Sequence, residues 1–390
     1  MKSNLPTLFF EINNSNYIFV IATCDNKKNF SIVEKIIVPN EGVEINKFKN
    51  IELVEDVIKK NIQVIESKIN YIFKEVIIIL DFFDYSCLNL SGFKKLNGSQ
   101  VLKENISYIL NSLKSVVVKN EKEKTILHIF NSKNILDETC VENLPIGLYG
   151  NFYSHELTFF LIGNNDLKNI KQVFNKCDLK IKKILLKDFI EGSHLISQNQ
   201  NTDTFFKIKI NKNKTQINYF EKSAFRYVEH FNFGTNIILE DIKKICSIND
   251  DIIHLILSDR IFENNNLKDD ELLEEKYFTN INYRKIKKRL LMDIANARIQ
   301  EIVNIILNKN INTEFCKKDI KKTFIIITDD LVSNNLKESF KFYFSQNLNC
   351  DPHLINNFKM DSLIISAANL SRYGWKKEAI PVTQVKKSLI

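Results

Sequence analysis

Glycine is scarce in this chain, with nine residues among 390. Loops that wrap a phosphate with backbone N–H groups usually need clustered glycines, because glycine permits positive φ and a close approach of the backbone. The sequence contains no G-x-G-x-x-G, no Walker A sequence and no G-x-S-x-G. The usual motifs of nucleotide-binding folds and of α/β-hydrolases are therefore absent.

Cysteine and histidine are also sparse and scattered. None of the seven cysteines forms a C-x-x-C pair, and no two of the six histidines have the helical spacing of metal ligands. The sequence therefore predicts neither a disulfide framework nor a metal site.

Long hydrophobic runs are missing as well. A membrane-spanning helix needs about 18 to 20 apolar residues, whereas the runs at 76–80 and 323–328 are only long enough for strands. The N-terminal apolar run is broken by Glu11 and has no small-residue cleavage site, unlike a signal peptide. We therefore expect a cytoplasmic protein without a spanning helix.

The formal net charge is +8, but the lysines are interspersed with acidic residues throughout the chain. Nucleic-acid binding requires a concentrated basic face, so no nucleic-acid interface is predicted. The composition, with 44% hydrophobic and 26% charged residues, is that of a globular protein. Its length suggests roughly two or three domains.

The order of elements predicts two similar α/β halves. Three strands at 8–12, 17–22 and 30–38 precede a helix at 51–72, whose apolar positions include Leu53, and a buried strand at 75–81. A second unit with the same opening begins near residue 204, where Ile208–Asn211 repeats the pattern of Phe10–Asn13 about 200 residues earlier. Lys207 and Lys209 alternate with apolar residues there, before a polar turn at 211–214.

The pattern changes within the first half. Residues 84–163 carry a helix at 99–115 and strands at 124–130 and 155–162, which predicts an inserted α+β subdomain. The predicted boundaries are 1–84 with 164–198 for the first half, 85–163 for the insertion, 199–372 for the second half and 373–390 for a C-terminal segment. The second half contains a long helix at 283–307 and a strand at 322–328.

Several stretches together resemble FtsA, the actin-like family of bacterial cell division. They are Asn143–Gly150, Asn169–Cys177, Phe233–Gly234 with Asp241–Ile242, Ile294–Arg298 with Glu301–Ile302, and Tyr373–Trp375. The resemblance implies an actin-like, ribonuclease-H-like fold with subdomain 1A, an inserted SHS2-like subdomain 1C, and a second half made of 2A and 2B.

The family binds ATP and magnesium through two glycine-rich, Asp-containing hairpins, and this sequence departs from both. Glu11 and Lys209 replace the aspartates, and Asn13 and Asn211 stand where glycine is expected. The positions that match the family's nucleotide site are Asn13, Ser15, Thr215, Gly234, Asp241 and Thr328. We expect a degenerate site, no catalytic residue and no enzymatic activity. The alternative is that Lys209, Lys212 and Lys214 hold phosphate as point charges.

The long helix carries the predicted partner site. In FtsA this region receives the acidic C-terminal tail of the tubulin-like FtsZ, which implies tail contacts by Arg298 and by Lys285, Lys288 and Arg289. Arg298 falls within the apolar stripe Leu291, Ile294, Ala295, Ile302 and Ile305, so an internal ion pair is the competing explanation. A solvated basic helix face would equally explain the lysine and arginine cluster.

The resemblance implies further partners. The inserted subdomain would mediate self-association and recruit later division proteins, and a C-terminal amphipathic helix would attach the protein to the cytoplasmic face of the inner membrane at the septum. Here residues 375–381 are interpreted as the linker, and the chain stops at Lys386–Ile390, whose two apolar residues bury too little surface for an interfacial anchor.

Two other functions fit the same superfamily. One is a pilus-assembly adaptor of the PilM type, which also has an inserted subdomain and binds a partner peptide. The other is an ATP-dependent phosphotransferase related to actin and the sugar kinases. The phosphotransferase requires a carboxylate base and glycine-rich phosphate hairpins, and the sequence has Lys209 and Asp329–Asp330 at the critical turns.

Overall fold

The computed structural model describes residues 5–13, 15–25, 29–44, 46–81, 83–199, 202–258, 270–278, 282–317, 320, 322–329, 332–348 and 352–379. Contacts divide the chain into two compact units. The first comprises Met1–Asp203, Phe220–Tyr227 and Phe358–Ile390, and the second comprises Thr204–Tyr219 and Val228–Asn357. Asn14, Asp330 and Leu331 of the predicted turns, and residues 380–390 of the C-terminal segment, lie outside the described residues.

The first unit is built on a five-stranded sheet in the order β11-β6-β1-β2-β3. Its strands are β1 (Thr7–Ile12), β2 (Asn16–Cys24), β3 (Phe30–Pro39), β6 (Glu75–Leu80) and β11 (Lys180–Leu186), and a small ribbon is formed by β4 (Val43–Glu44) and β5 (Lys47–Phe48). Strand β6 is parallel to both β1 and β11, whereas β2 is antiparallel to β1 and β3. The predicted meander, helix and parallel strand are therefore confirmed.

Four helices accompany this sheet: α1 (Ile51–Ile69), α3 (Asn164–Lys176), α4 (Lys187–Gln198) and α10 (Met360–Tyr373). Helix α1 begins at a true cap, because the Asn50 side chain accepts a hydrogen bond from the Leu53 N–H. Val54 and not Leu53 points into the core, since Leu53 is 37% exposed. Helix α10 contacts β2, β3 and α4 and so belongs to the first unit, although the sequence boundaries put it in the second half.

A second sheet of the first unit lies within residues 85–163, the predicted inserted subdomain. Its order is β7-β10-β8-β9, formed by β7 (Tyr85–Lys95), β8 (Lys124–Leu136), β9 (Thr139–Val141) and β10 (Phe152–Gly163), and α2 (Lys103–Asn120) contacts β7, β8 and β10. The packed layer under α2 is apolar and includes Ile109, Leu113 and Leu157. Strand β7 is an element that the sequence analysis missed.

The polar side chain of His155 is buried in this apolar layer. His155 is 1% exposed, and neither of its ring nitrogens has a hydrogen-bond partner. Burial lowers the pKa of His155 to about 4 from its ordinary 6.5. An unsatisfied buried polar group costs about 1 to 3 kcal/mol of stability.

The buried imidazole predicts a pH-dependent stability. Between pH 6.5 and about 4 the unfolded chain binds a proton at His155 that the folded chain does not, so the free energy of unfolding falls by up to about 1.4 kcal/mol per pH unit as the pH decreases. We expect His155→Leu to raise the stability at pH 7 and to reduce this slope. Chemical denaturation of both proteins at pH 7 and pH 5 measures both effects, and equal slopes would contradict the assignment.

Another five-stranded sheet repeats the strand order of the first sheet, as β14-β13-β12-β15-β16. The strands are β12 (Phe205–Ile210), β13 (Thr215–Glu221), β14 (Ala224–Phe231), β15 (Lys322–Ile327) and β16 (Pro352–Ile355), and the helices are α5 (Asn236–Cys246), α6 (Asp250–Ser258), α7 (Lys288–Leu307), α8 (Ile311–Lys317) and α9 (Asn334–Asn347). Strand β15 runs parallel to β12 and β16. The predicted similarity of the two halves is thus visible in their topology.

The C-terminal segment is docked where the sequence analysis expected a linker. The Asn131 N–H donates to the Lys377 carbonyl and the Ala379 N–H donates to the Ile129 carbonyl, both at 2.7 Å, so residues 377–379 pair with β8. The Glu378 carboxylate lies 2.7 Å from His128 Nδ1 and 3.1 Å from Lys183 Nζ. Burial opposes the charge, but His128 and Lys183 outweigh it and lower the pKa of Glu378 to about 2. The described part of this segment is therefore a fixed element.

Candidate functional site

The first candidate phosphate turn is closed by its own side chain. The Asn13 Oδ1 atom accepts hydrogen bonds from the N–H groups of Ser15 at 3.0 Å and Asn16 at 2.8 Å. A phosphate-binding turn uses such N–H groups for the ligand. In this hairpin two of these N–H groups donate to the amide oxygen of Asn13, so Asn13 and Ser15 form an internal turn.

A lysine lies among the carboxylates next to this turn. Lys187 Nζ is 2.7 Å from Glu11 Oε1 and 2.8 Å from Asp81 Oδ2. Glu11 lies in β1, Asp81 directly follows β6, and Lys187 directly follows β11, so the three residues come from adjacent strand ends. Sequence analysis missed Lys187. Its position directly after a predicted strand is the signal that could have identified it.

The second candidate turn, in the second unit, is packed against a glycine. A Cβ atom on Gly234 would lie 2.0 Å from the Asn211 carbonyl oxygen, so only glycine fits there. The Thr235 N–H donates to that Asn211 oxygen at 3.0 Å, and the Asn236 N–H donates to the Lys212 carbonyl at 2.9 Å. The N-terminal turn of α5 therefore binds the backbone of the hairpin itself.

Side-chain hydrogen bonds complete the closure of these turns. The Thr328 hydroxyl donates to Asn211 Oδ1, and the Thr235 hydroxyl donates to Asp329 Oδ2, each at 2.5 Å. Thr215 is fully buried and its hydroxyl donates to the Phe233 carbonyl at 2.8 Å. The structure thus brings Thr215, Gly234 and Thr328 together around one hairpin, where they bond to the protein.

Asp241, the remaining nucleotide candidate, pairs with a residue predicted for a different site. The Arg298 Nε donates to Asp241 Oδ2, and Arg298 Nη1 donates to Glu301 at 2.5 Å. The hydrogen bond that Arg298 donates to Asp241 raises the pKa of Arg298 above its ordinary value. Arg298 is part-exposed at the edge of the apolar stripe, and Ile299 is buried there instead. The prediction of an arginine in the middle of the stripe is therefore wrong, because Ile299 and Val303 define the buried face.

The basic residues near the start of α7 differ in their exposure to solvent. The helix begins at Lys288, five residues later than predicted, so Lys285 precedes it. Lys288 is largely buried and its Nζ lies 2.6 Å from Glu271 Oε1. Lys285 and Arg289 are exposed. Of the four predicted tail contacts, these two present their side chains to solvent.

The inserted subdomain carries an exposed aromatic pair that sequence analysis missed. Phe93 of β7 and Phe152 of β10 stack at 5.2 Å between ring centroids, and their exposed fractions are 63% and 39%. They lie on the sheet face opposite Tyr153, which packs into the core. Exposed apolar patches of this kind mark interaction surfaces.

The residues at the two turns do not fit a magnesium-bound triphosphate. In the first turn the N–H groups of Ser15 and Asn16 donate to Asn13. The carboxylates of Glu11 and Asp81 face the ammonium group of Lys187. In the second turn Asn211 accepts hydrogen bonds from Thr235 and Thr328. Lys212 is exposed on the second hairpin. Phosphate binding by Lys209, Lys212 and Lys214 stays a prediction.

Curated relatives of the chain carry the name cell division protein FtsA. The protein of Buchnera aphidicola subsp. Acyrthosiphon pisum is 20% identical over 280 residues, which cover 70% of this chain and 66% of that relative. The protein of Buchnera aphidicola subsp. Schizaphis graminum is 22% identical over 199 residues, covering 51% and 47%. The protein of Neisseria meningitidis serogroup B is 20% identical over 319 residues, covering 82% and 76%. The chain therefore spans less than two thirds of the two Buchnera relatives, and the FtsA resemblance is confirmed.

A solved structure establishes the fold. The PilM–PilN type IV pilus biogenesis complex contains a chain that superposes with a TM-score of 0.53 at 10% identity, over 95% of this chain and 99% of that one. The predicted actin-like α/β fold is therefore confirmed. No protein-family model matches the sequence. Within the ranges that the structure describes, no helix combines the length and the apolar character needed to cross a membrane.

Proposed function

We propose that this FtsA-like protein of actin-like fold is a non-enzymatic adaptor of bacterial cell division. It binds the C-terminal tail of FtsZ, associates with copies of itself, and links the division ring to the cytoplasmic face of the inner membrane and to later division proteins. The observation that carries this proposal is the closure of both candidate phosphate turns by protein groups, above all the Asn13 amide. The similarity to proteins named FtsA supplies the division role.

The tail would bind at the exposed basic residues near the start of α7. Lys285 and Arg289 are exposed, and the FtsZ tail is acidic by the family resemblance, so the two surfaces are complementary. Arg298 and Lys288 have carboxylate partners on other elements and would position the helix. An acidic tail at Arg298 would have to displace Asp241 and Glu301. Lys285 and Arg289 are proposed as the main contacts because their side chains are more exposed.

Self-association would use the inserted subdomain. Strand β7 lies at the edge of its sheet, and its Phe93 side chain stacks on Phe152 at the surface. An edge strand offers backbone hydrogen-bonding groups to a second chain, and exposed aromatic side chains supply contact area. These features support the role that the family resemblance implies for this subdomain.

The proposed loss of Mg-ATP binding has a direct thermal test. A ligand at about 100 times its Kd stabilises a protein by about 2.7 kcal/mol, so binding with a Kd near 0.1 mM would be visible at about 10 mM ligand. We expect Mg-ATP at that concentration to leave the melting temperature within about 1 °C of its value in magnesium sulfate of equal ionic strength. A rise of about 4 °C or more would overturn the degenerate-site proposal.

A pilus-assembly adaptor is the second candidate, because a chain of the PilM–PilN complex has the same fold over nearly all of this chain. The division adaptor and the pilus-assembly adaptor would both bind a partner peptide without catalysing a reaction. They differ in which peptide they bind. Binding of the FtsZ tail favours the division adaptor. Failure to bind it, with binding of a PilN-derived peptide, would favour the pilus adaptor.

A further inference from the structure

At the ends of three strands of the first unit, the ammonium group of Lys187 lies between the carboxylates of Glu11 and Asp81. In the order β11-β6-β1, the residues at the carboxyl ends are Lys187, Asp81 and Glu11. The register pairs Leu186 with Leu80 and Leu80 with Ile12, so the three ends are level. In open α/β sheets, ligands bind at the carboxyl ends of parallel strands. Here a side chain of the same unit lies at that position.

The cluster is strongly desolvated. The side chains of Glu11, Lys187 and Asp81 are 5%, 16% and 21% exposed. Burial lowers the pKa of Lys187, but Asp81, Glu11 and Glu191 outweigh it, and the net result is a raised pKa. The lysine is therefore charged at neutral pH. Two more carboxylates are close in sequence: Asp188, which accepts a hydrogen bond from the Tyr85 hydroxyl at 2.7 Å, and Glu191.

We propose that the Lys187 ammonium is a built-in cation that takes over the charge-neutralising role of a bound divalent ion at these strand ends. Its contacts with Glu11 and Asp81 hold β1, β6 and β11 together without a metal. Two carboxylate oxygens lie within 2.8 Å of one point, and carboxylate oxygens are the ligands that Mg²⁺ and Ca²⁺ prefer. Removing the ammonium would therefore convert the position into a cation site.

Two variants of Lys187 separate the effect of losing its charge from the effect of opening space for a cation. Lys187→Met keeps most of the aliphatic stem and fills the position, whereas Lys187→Ala leaves it open. We expect both variants to melt about 5 °C or more below the unmodified protein, because each removes the ammonium group that faces the buried carboxylate of Glu11 and the half-buried carboxylate of Asp81. With about 10 mM CaCl₂, Lys187→Ala should regain at least half of the loss, and Lys187→Met should regain little. The unmodified protein should not respond.

The controls make each outcome decisive. NaCl of equal ionic strength should not rescue Lys187→Ala, and Glu11→Gln in that background should abolish the rescue by calcium. Rescue by NaCl alone, equal rescue of both variants, or a calcium-dependent rise in the unmodified protein would each overturn the proposal. If Lys187→Ala is unfolded without metal, refolding it in CaCl₂ and in NaCl gives the same comparison. This inference does not depend on the partners of the protein.

A charge-neutral variant tests the electrostatic reason independently. Replacing all three residues, as Glu11→Gln, Asp81→Asn and Lys187→Met, removes the charges of these three side chains and retains their volumes, while Glu191 keeps its charge. Buried ion pairs can often be replaced by uncharged groups at little cost, whereas removing one partner is strongly destabilising. The triple variant should therefore melt above Lys187→Met. A triple variant that melts lower would contradict the role of Lys187 as a neutralising cation.

Discussion

Replacing Phe93 with glutamate is expected to weaken self-association at least about tenfold, which corresponds to about 1.4 kcal/mol or more of association free energy. Phe93 is 63% exposed and stacks on Phe152, so the substitution removes an aromatic contact and puts a charge on the edge strand β7. The fold of the subdomain should be unaffected, because the side chain lies outside the apolar layer under α2.

A matched control removes the general effect of added charge. Ile72 is 75% exposed and lies just after α1, outside residues 85–163. Ile72→Glu makes the same change in charge and should leave self-association within about twofold of the unmodified protein. Sedimentation equilibrium measures the association constant of all three proteins. Equal weakening by both variants, or no weakening by Phe93→Glu, would exclude this face as the interface, and an unmodified protein that stays monomeric would contradict self-association.

The sheets of both halves could be predicted from sequence because they depend on local pattern. The meander alternates apolar runs with polar turns, and the strand at 75–81 is a continuous apolar run. Burial within those strands was less predictable. Lys207 is fully buried in β12, as are Phe206 and Ile208 beside it. Because β12 is the central strand of its sheet, the alternation of lysines with apolar residues does not reveal this burial.

Helix faces show the same limit of local pattern. An extrapolation at 100° per residue from Leu291 and Ile294 put Arg298 on the buried face of α7. The structure buries Ile299, Ile302 and Val303 and leaves Arg298 at the edge with Asp241. The periodicity alone could not decide between these faces, because α7 has apolar residues around much of its circumference.

The closure of the candidate site depends on contacts that sequence alone does not supply. The departures from glycine at Asn13 and Asn211 are visible in the sequence. The pairing of Lys187 with Glu11 and Asp81 joins residues 176 and 106 positions apart. It follows from the order of the strands in the sheet, which local periodicity does not encode.

The acidic FtsZ tail is expected to bind through Lys285 and Arg289. Both side chains are exposed, and Lys285 lies just before α7 while Arg289 lies in its first turn. Reversing both charges, as Lys285→Glu with Arg289→Glu, replaces attraction by repulsion and should weaken the affinity at least about tenfold. The effect should shrink at high salt, because exposed charges are screened within about 10 Å at 0.1 M ionic strength.

The control variant makes the same change in net charge at two lysines outside α7. Lys59 and Lys60 are exposed on α1 of the first unit, and Lys59→Glu with Lys60→Glu alters the net charge by the same amount. This variant should bind the tail within about twofold of the unmodified protein, apart from the small effect of net charge. Equal losses in both double variants would show that the tail responds to overall charge and not to the start of α7.

The most direct measurement is the fluorescence anisotropy of a labelled FtsZ C-terminal tail peptide, titrated with the unmodified protein and with the two double variants. We expect the unmodified protein to bind the peptide saturably in the micromolar range. The variant Lys285→Glu with Arg289→Glu should lose this binding, and the control variant Lys59→Glu with Lys60→Glu should keep it. Saturable binding that both variants retain would remove the assigned contacts. No binding by the unmodified protein would contradict the adaptor role in cell division.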